Sequence, residues 1–272
     1  MQITARARDM TKTTPKYVPD QGAAMDDHIT DANVRLTYFT DKLAIEALDQ
    51  DRITEELTNL SPGENPAGWL GRRLLTDYDH LVLASNRHTG ASIGLLGARH
   101  GTTSSETFLL LETAFIASSA RGRKVIRRMI ALAMLRIAGL AETPQVIAAR
   151  TSNPLGYRML RSFGQNFRKA VFFPEPVSNV IPLSTAALAR RIAREICPRL
   201  RFNPLNGALR GGLAEDGPAL TRGSTALALD PEILTMFDHS LERADQMLTV
   251  LDLRPEAEAD IVDTTRRLFR GR

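Results

Sequence analysis

From Val34 the chain alternates apolar and polar side chains through Arg35, Leu36, Thr37, Tyr38 and Phe39, the period of a half-buried strand. The period then lengthens. Thr40-Asp41 is a helix start, and Leu43, Ala44, Ala47 and Leu48 recur at helical spacing. A second helical stretch carries Ile53 and Leu57 and stops by Pro62-Gly63. Beyond a loop around Pro66 and Trp69 come three β-rich runs: His80 to Ser85, Ser92 to Arg99 and Thr107 to Ala117. The stretches between them, Asn86 to Gly90 and His100 to Ser104, have the length of hairpin loops and predict an antiparallel meander.

Val125, Met129, Leu132, Ala133, Leu135 and Arg136 fit a long helix ending near Gly139, and Val146-Ile147-Ala148-Ala149 reads as a short buried strand. Asn153-Pro154 opens another helix, with the proline at a first helical position and Gly164 placed to cap its end. Phe167 to Phe173 gives a further strand, and Pro174 and Pro176 close the unit. The order β-α-α-β-β-β-α-β-α-β predicts an α/β (α+β) fold over residues 33–174, with a mixed, mostly antiparallel sheet flanked by helices. Residues 1–32 lack apolar periodicity and read as a flexible arm. Residues 175–272 read as a smaller α+β extension. It has a helix from Thr185 to Glu195, a turn-rich loop from Phe202 to Gly217, a helix over Ile233 to Leu241, a strand over Asp245 to Leu251 and an amphipathic helix over Pro255 to Phe269. Too small and polar to stand alone, it is expected to pack on the first domain or on a second subunit, as in a homodimer.

Composition adds boundaries. With 43% hydrophobic and 24% charged residues, the chain is neither disordered throughout nor a fibrous repeat. It has no apolar run near the roughly 20 residues of a membrane span, and no secretory leader is visible. Cys197 is the one cysteine and has no CxxC partner, so a buried thiol and a reducing, cytoplasmic setting are expected. Charge is unevenly spread. Residues 121–210 hold 17 Lys and Arg against Glu142, Glu175 and Glu195, a net of +14, while the flanking segments are each at −5. Such a block suits an anionic ligand or partner, or is a solvated basic face. Its arginines at 190, 191, 194, 199 and 201 could meet a cofactor phosphate, an acidic partner or the acidic region after residue 211, the last being the default expectation. Only 6% of residues are aromatic, and no nucleic-acid motif stands out, which counts against a nucleic-acid module.

Thr113 to Arg128 carries the clearest chemistry: a strand, a turn of small residues and a basic helix start. A helix N-terminus offers unpaired N–H donors and the positive end of its dipole to phosphate oxygens. Arg121, Arg123 and Lys124 add charge-assisted contacts. The segment resembles motif A of the GCN5-related N-acetyltransferase (GNAT) superfamily, Arg/Gln-x-x-Gly-x-Gly/Ala after the fourth strand. Asn153 to Gly164 is similar to motif B of the same superfamily. Lys124 and Ile126 stand where motif A has glycine, or glycine or alanine. Leu160 stands where many members carry the tyrosine that protonates the leaving thiolate.

The resemblance, over residues 33–174, implies a GNAT-like fold and acyl transfer from acetyl-CoA or another acyl-CoA, without a metal. The acceptor would be a small-molecule or protein amine, and an acidic carrier protein would be the alternative donor. By that likeness Phe115, Ile116, Ala117, Arg121, Gly122, Arg123, Lys124, Val125 and Ile126 would hold the cofactor arm, with Asn153 nearby. Glu112 is the candidate general base, placed by period-two geometry on the face of Leu110; a partly exposed strand carboxylate, or one in a salt bridge to a neighbouring arginine, is the plainer alternative. Tyr157, three residues before Leu160, is the candidate proton donor. A catalytically degenerate binding protein on the same fold is the competing reading. His80, His88 and His100 show no metal-ligand spacing and are expected to be structural or exposed.

Overall fold

The computed structural model describes residues 33–61, 75–122, 124–176, 182–212 and 230–271; the expected N-terminal arm and the loop around Pro66 and Trp69 lie outside them. Local chemistry sets the first elements. Strand β1 (Val34–Phe39) is followed by two helices, each opened by an aspartate. Asp41 accepts from the Leu43 N–H at the start of α1 (Lys42–Glu46), and Asp49 from Arg52 at the start of α2 (Gln50–Asn59). The meander β2 (His80–Asn86), β3 (Ser92–Thr102), β4 (Thr107–Ile116) is antiparallel, as are β1 and β2. Helix α3 (Val125–Leu140) then crosses back to β5 (Val146–Thr151), which pairs with β4 in parallel. Helix α4 (Pro154–Gly164) and β6 (Val171–Phe173) complete the predicted order. The fold class follows the sequence reading: a mixed, mostly antiparallel sheet flanked by helices.

The second half departs from expectation. It contains α5 (Leu183–Ile196), β7 (Arg201–Phe202), β8 (Ala208–Arg210), α6 (Pro231–Ser240), β9 (Gln246–Asp252) and α7 (Glu258–Arg270). Strand β9 is built into the first half's sheet, with β5 on one edge and β6, then β8, along the other. The sheet runs β1-β2-β3-β4-β5-β9-β8-β7, with β6 beside β9. The boundary expected at 174/175 therefore separates no sheet from another: the strand between β5 and β6 comes from beyond it. Part of the expected loop after Phe202 is the β7–β8 hairpin. Every residue of β9 is buried. Its sequence does not alternate because both faces of the sheet are covered there.

Two layers of helix cover the sheet. On one face α3, α4, α6 and α7 close over the large core, which includes Val82, Leu96, Leu109, Leu111, Ile147 and Leu251. On the other, two separate apolar pads form. Helices α1 and α2 cover Tyr78, Leu81, Leu95 and Phe115, and α5 covers Phe108, Leu110, Val146, Ala148, Leu248 and Val250. Gly164 is not in the left-handed region; α4 ends at Gln165 with φ −60°. Its glycine is required by close approach, since a Cβ there would lie 2.6 Å from Leu251 Cδ1 on β9. Among the described residues no helix is long and apolar enough to cross a membrane.

Gly97 and Asp245 test this architecture. A Cβ on Gly97 would lie 2.7 Å from the ring of Tyr78, which is fully buried. Gly97→Ala should cost roughly 1–3 kcal/mol by overpacking, read as a lower urea midpoint at unchanged slope. Asp245 fastens the end of the β8 hairpin to the start of β9 by accepting from the N–H groups of Gly211 and Glu242 and from Arg210. Burial raises its pKa, but these donors outweigh burial and hold the carboxyl below its usual value of 3.8. A carboxyl depressed in the folded state stabilises above its unfolded pKa and loses that effect as pH falls through the folded one. Asp245→Asn should therefore destabilise by about 1–3 kcal/mol at pH 7, and the gap to the wild type should narrow below about pH 4 in acid-melting curves.

Candidate functional site

Strand β4 parts from β5 midway. The parallel ladder joins Leu109, Leu110 and Leu111 to Ile147, Ala148 and Ala149, and stops there. Along its other edge β4 stays paired with β3, but with a slip: Gly97 faces Thr113 and Ala98 faces Leu111, leaving Glu112 as the extra residue of a β-bulge. A bulge bends and twists its strand, and this one sits where the two strands separate. It is pinned by Tyr78, whose hydroxyl bonds Thr113 Oγ1 and whose ring fills the space over Gly97. Residues 113–116 pair with β3 alone among the described strands, so their second edge faces the gap toward β5.

Glu112 shares the face of Leu110, as period two predicts, and the bulge puts Thr113 on that face as well. Arg99 on β3 meets it there, Nη2 donating to Glu112 Oε1 at 2.5 Å. The carboxylate side chain is 3% exposed and the guanidinium 46%. Arg150 alternates with Val146 and Ala148 on β5, so it falls on the same face, and its Nη1 donates to Cys197 Sγ at 3.1 Å. Cys197 is buried, as expected. This is the salt bridge to a neighbouring arginine that the sequence reading offered as the plainer alternative for Glu112; that the arginine is Arg99 depends on a bulge that no periodicity marks.

At the far end of the gap β4 enters the basic turn. Phe115 is buried in the α1–α2 pad, and the buried Ala117 donates its N–H to Ile93 O at 2.9 Å. The backbone then turns through Gly122 at φ +80° and Lys124 at φ +59°. Left-handed backbone suits glycine and strains lysine, so Lys124 holds a conformation that favours glycine. It is the N-cap of α3, and no side chain among the described residues caps that end, which leaves first-turn N–H groups for an anion. Arg121 folds back, Nε donating to Ile116 O at 3.2 Å. Lys124 is exposed, and the space beside Gly122 is open. Val125 is buried and Ile126 packs against the large core, so neither side chain closes the turn. Arg127 and Arg128 follow in the first turn, each with a buried Nε that lacks a partner. Burial, then the charge of Arg128, lowers the pKa of Arg127. Arg123 lies outside the described residues.

The motif-B residues divide. Asn153 caps α4, Oδ1 accepting from Leu155 N at 2.9 Å. Tyr157 is a core residue: it is fully buried, edge-on to Phe172 and Phe237, and its hydroxyl donates to Pro174 O. Burial, then the charge of Glu175, pushes that hydroxyl far above its ordinary pKa. Helical spacing aligns it with the apolar stripe of Leu160 and Phe163, so the expected proton donor is turned away from the gap. His80 is also structural, Nδ1 lying 2.7 Å from the Tyr38 hydroxyl. Burial and then His100 push its pKa down to about 4.

The basic block meets several partners rather than the acidic tail alone. Arg191 pairs with Glu106 on the β3–β4 loop, Arg161 with Glu175, and Arg210 with Asp245 and Glu242. Hollows of about 400 and 430 Å³ lie elsewhere, one along α7 and one around Glu106 and Arg254 at the opposite end of β4. Among the described strands, the edge of β4 beyond Leu111 has no ladder partner on the β5 side.

No family model matches the chain, and no curated protein matches its sequence. Solved structures do resemble it at low identity. An AtaTR structure bound with AcCoA is 15% identical at TM-score 0.38, covering 54% of this chain and 88% of that one. A GNAT-family acetyltransferase from Staphylococcus aureus Mu50 is 11% identical at TM-score 0.36, covering 55% and 90%. Diaminobutyrate acetyltransferase EctA from Paenibacillus lautus, in complex with L-2,4-diaminobutyric acid and coenzyme A, is 16% identical at TM-score 0.35, covering 80% and 95%. Within the chain itself, one motif opens the turn after the fourth strand and the other opens the helix after the fifth, on a mixed, mostly antiparallel sheet flanked by helices: the fold is GNAT-like.

Proposed function

We propose that the chain is an acyltransferase that moves an acyl group, acetyl in the first instance, from acyl-CoA to an amine. One observation carries the reading: the β4–β5 ladder ends beside a bulged, buried carboxylate, and the open edge of β4 leads from there to an uncapped helix N-terminus. An extended arm fits such an edge by adding backbone hydrogen bonds along residues 113–116. Its phosphates would meet the first-turn N–H groups of α3, Lys124 and the neighbouring arginines. The two replaced glycines do not oppose this, because Lys124 keeps the left-handed turn and Ile126 points to the core.

The thioester supplies an activated acyl carbon, so that an amine nitrogen bonds to it as the carbon–sulfur bond breaks. Glu112 accepts the proton that the attacking amine loses. Arg99 holds that carboxylate in place from β3. With Tyr157 committed to Pro174, water supplies the proton to the departing sulfur. That last point also favours a second reading, a binding protein on this fold that has lost catalysis, since neither Leu160 nor Tyr157 offers a proton donor.

Calorimetry with acetyl-CoA tests the cradle: 1:1 binding is expected, weakened roughly tenfold or more by Arg121→Ala with Arg123→Ala. Absence of binding at millimolar acetyl-CoA would overturn the proposal. Thiol release with a panel of amines then separates the two readings. Glu112→Gln should lower kcat by about 10²–10⁴-fold with acetyl-CoA affinity unchanged. Binding without thiol release from any amine would leave the degenerate binder.

A further inference from the structure

The face that carries Glu112 is apolar at both ends and polar between. Leu81, Leu95 and Phe115 lie under α1 and α2, while Phe108, Leu110, Ala148 and Val250 lie under α5. Arg99, Glu112 and Arg150 occupy the sheet positions between these pads, on three adjacent strands, where β4 leaves β5. The two members of the Arg99–Glu112 pair differ in access. The carboxylate is almost fully covered, whereas nearly half of the guanidinium side chain meets solvent. A guanidinium has five N–H donors in a planar fork, and the bond to Glu112 engages Nη2 alone. A group approaching Glu112 along this strip therefore passes the remaining donors of Arg99.

We infer that the acceptor is a zwitterion: an amine that also bears a carboxylate, its amine end directed to Glu112 and its carboxylate to Arg99. The inference rests on the acyltransferase reading and names the substrate class for the same site. An adjacent carboxylate and guanidinium match the two charges of an amino acid in opposite order, and the Arg–carboxylate fork fixes orientation as well as attraction. A polyamine or lysine-rich peptide would bring further positive charge toward Arg99 and Arg150 and no carboxylate for the guanidinium to bind. A neutral amine would leave the open donors of Arg99 to water. Arg99 is thus a specificity-determining residue.

The test compares amino acids with their amides and with the matching amines that lack the carboxylate, using the full chain, acetyl-CoA and thiol release. The expected result is a kcat/KM at least about tenfold higher for the carboxylate-bearing acceptors. Arg99→Gln should collapse that preference to within about threefold, mainly through KM, and Arg99→Lys should restore part of it. Equal use of amides or simple amines, or a preference that survives Arg99→Gln, would overturn the inference while acyl transfer stands. Binding of the same compounds, followed by ligand-detected NMR without acetyl-CoA, separates the two failures. Carboxylate-dependent binding lost in Arg99→Gln supports the recognition even if no thiol is released. Absence of such binding overturns it.

Discussion

One extra residue in the middle of β4 shapes the site. A regular ladder would hold β4 against both neighbours along its length, and every polar backbone group would be engaged. The bulge at Glu112 bends the strand away from β5 while the pairing with β3 resumes beyond it. Such a defect in a central strand needs support on all sides. Tyr78 supplies it through its bond to Thr113 and its contact over the bare face of Gly97. The opening is therefore a property of packed core residues, held as firmly as the core itself.

The same opening requires closure elsewhere. Strand β5 loses β4 after Ala149 but stays paired with β9 along its whole length. Strand β9 in turn holds β6 and β8 on its other edge. Residues beyond 174 thus do more than append helices: they supply the strand that keeps β5 in a continuous sheet. The segment between β6 and β9 contributes α5 to one face and α6 to the other. Arg191 and Arg254 both reach Glu106 and tie α5 and the β9–α7 link to the β3–β4 loop. These half-buried pairs position elements; the apolar pads supply most of the cohesion.

Charge and conformation divide the work at the cleft. Its far end is basic and backbone-lined, with Lys124 in the left-handed region that favours glycine. Its near end is an ion pair with one buried and one accessible member. Arg150 adds positive charge from β5 and is itself tied to Cys197, so the lone thiol acts as a buried acceptor beside the site.

Legible in the chain alone were the element order through β6, the caps on α1 and α4, and the basic turn at the start of α3. These are readable because caps, turns and periods depend on neighbours within a few residues. The place of β9 emerges only in the folded chain, since a strand buried on both faces has no alternation to announce its partners. The fold also decided that Tyr157 faces the core and that Lys124 takes a glycine's backbone. The sequence allowed Glu112 an arginine partner, but that this is Arg99 was settled by the fold, because the bulge shifts register by one residue and Tyr78, which packs over it, lies far off in sequence.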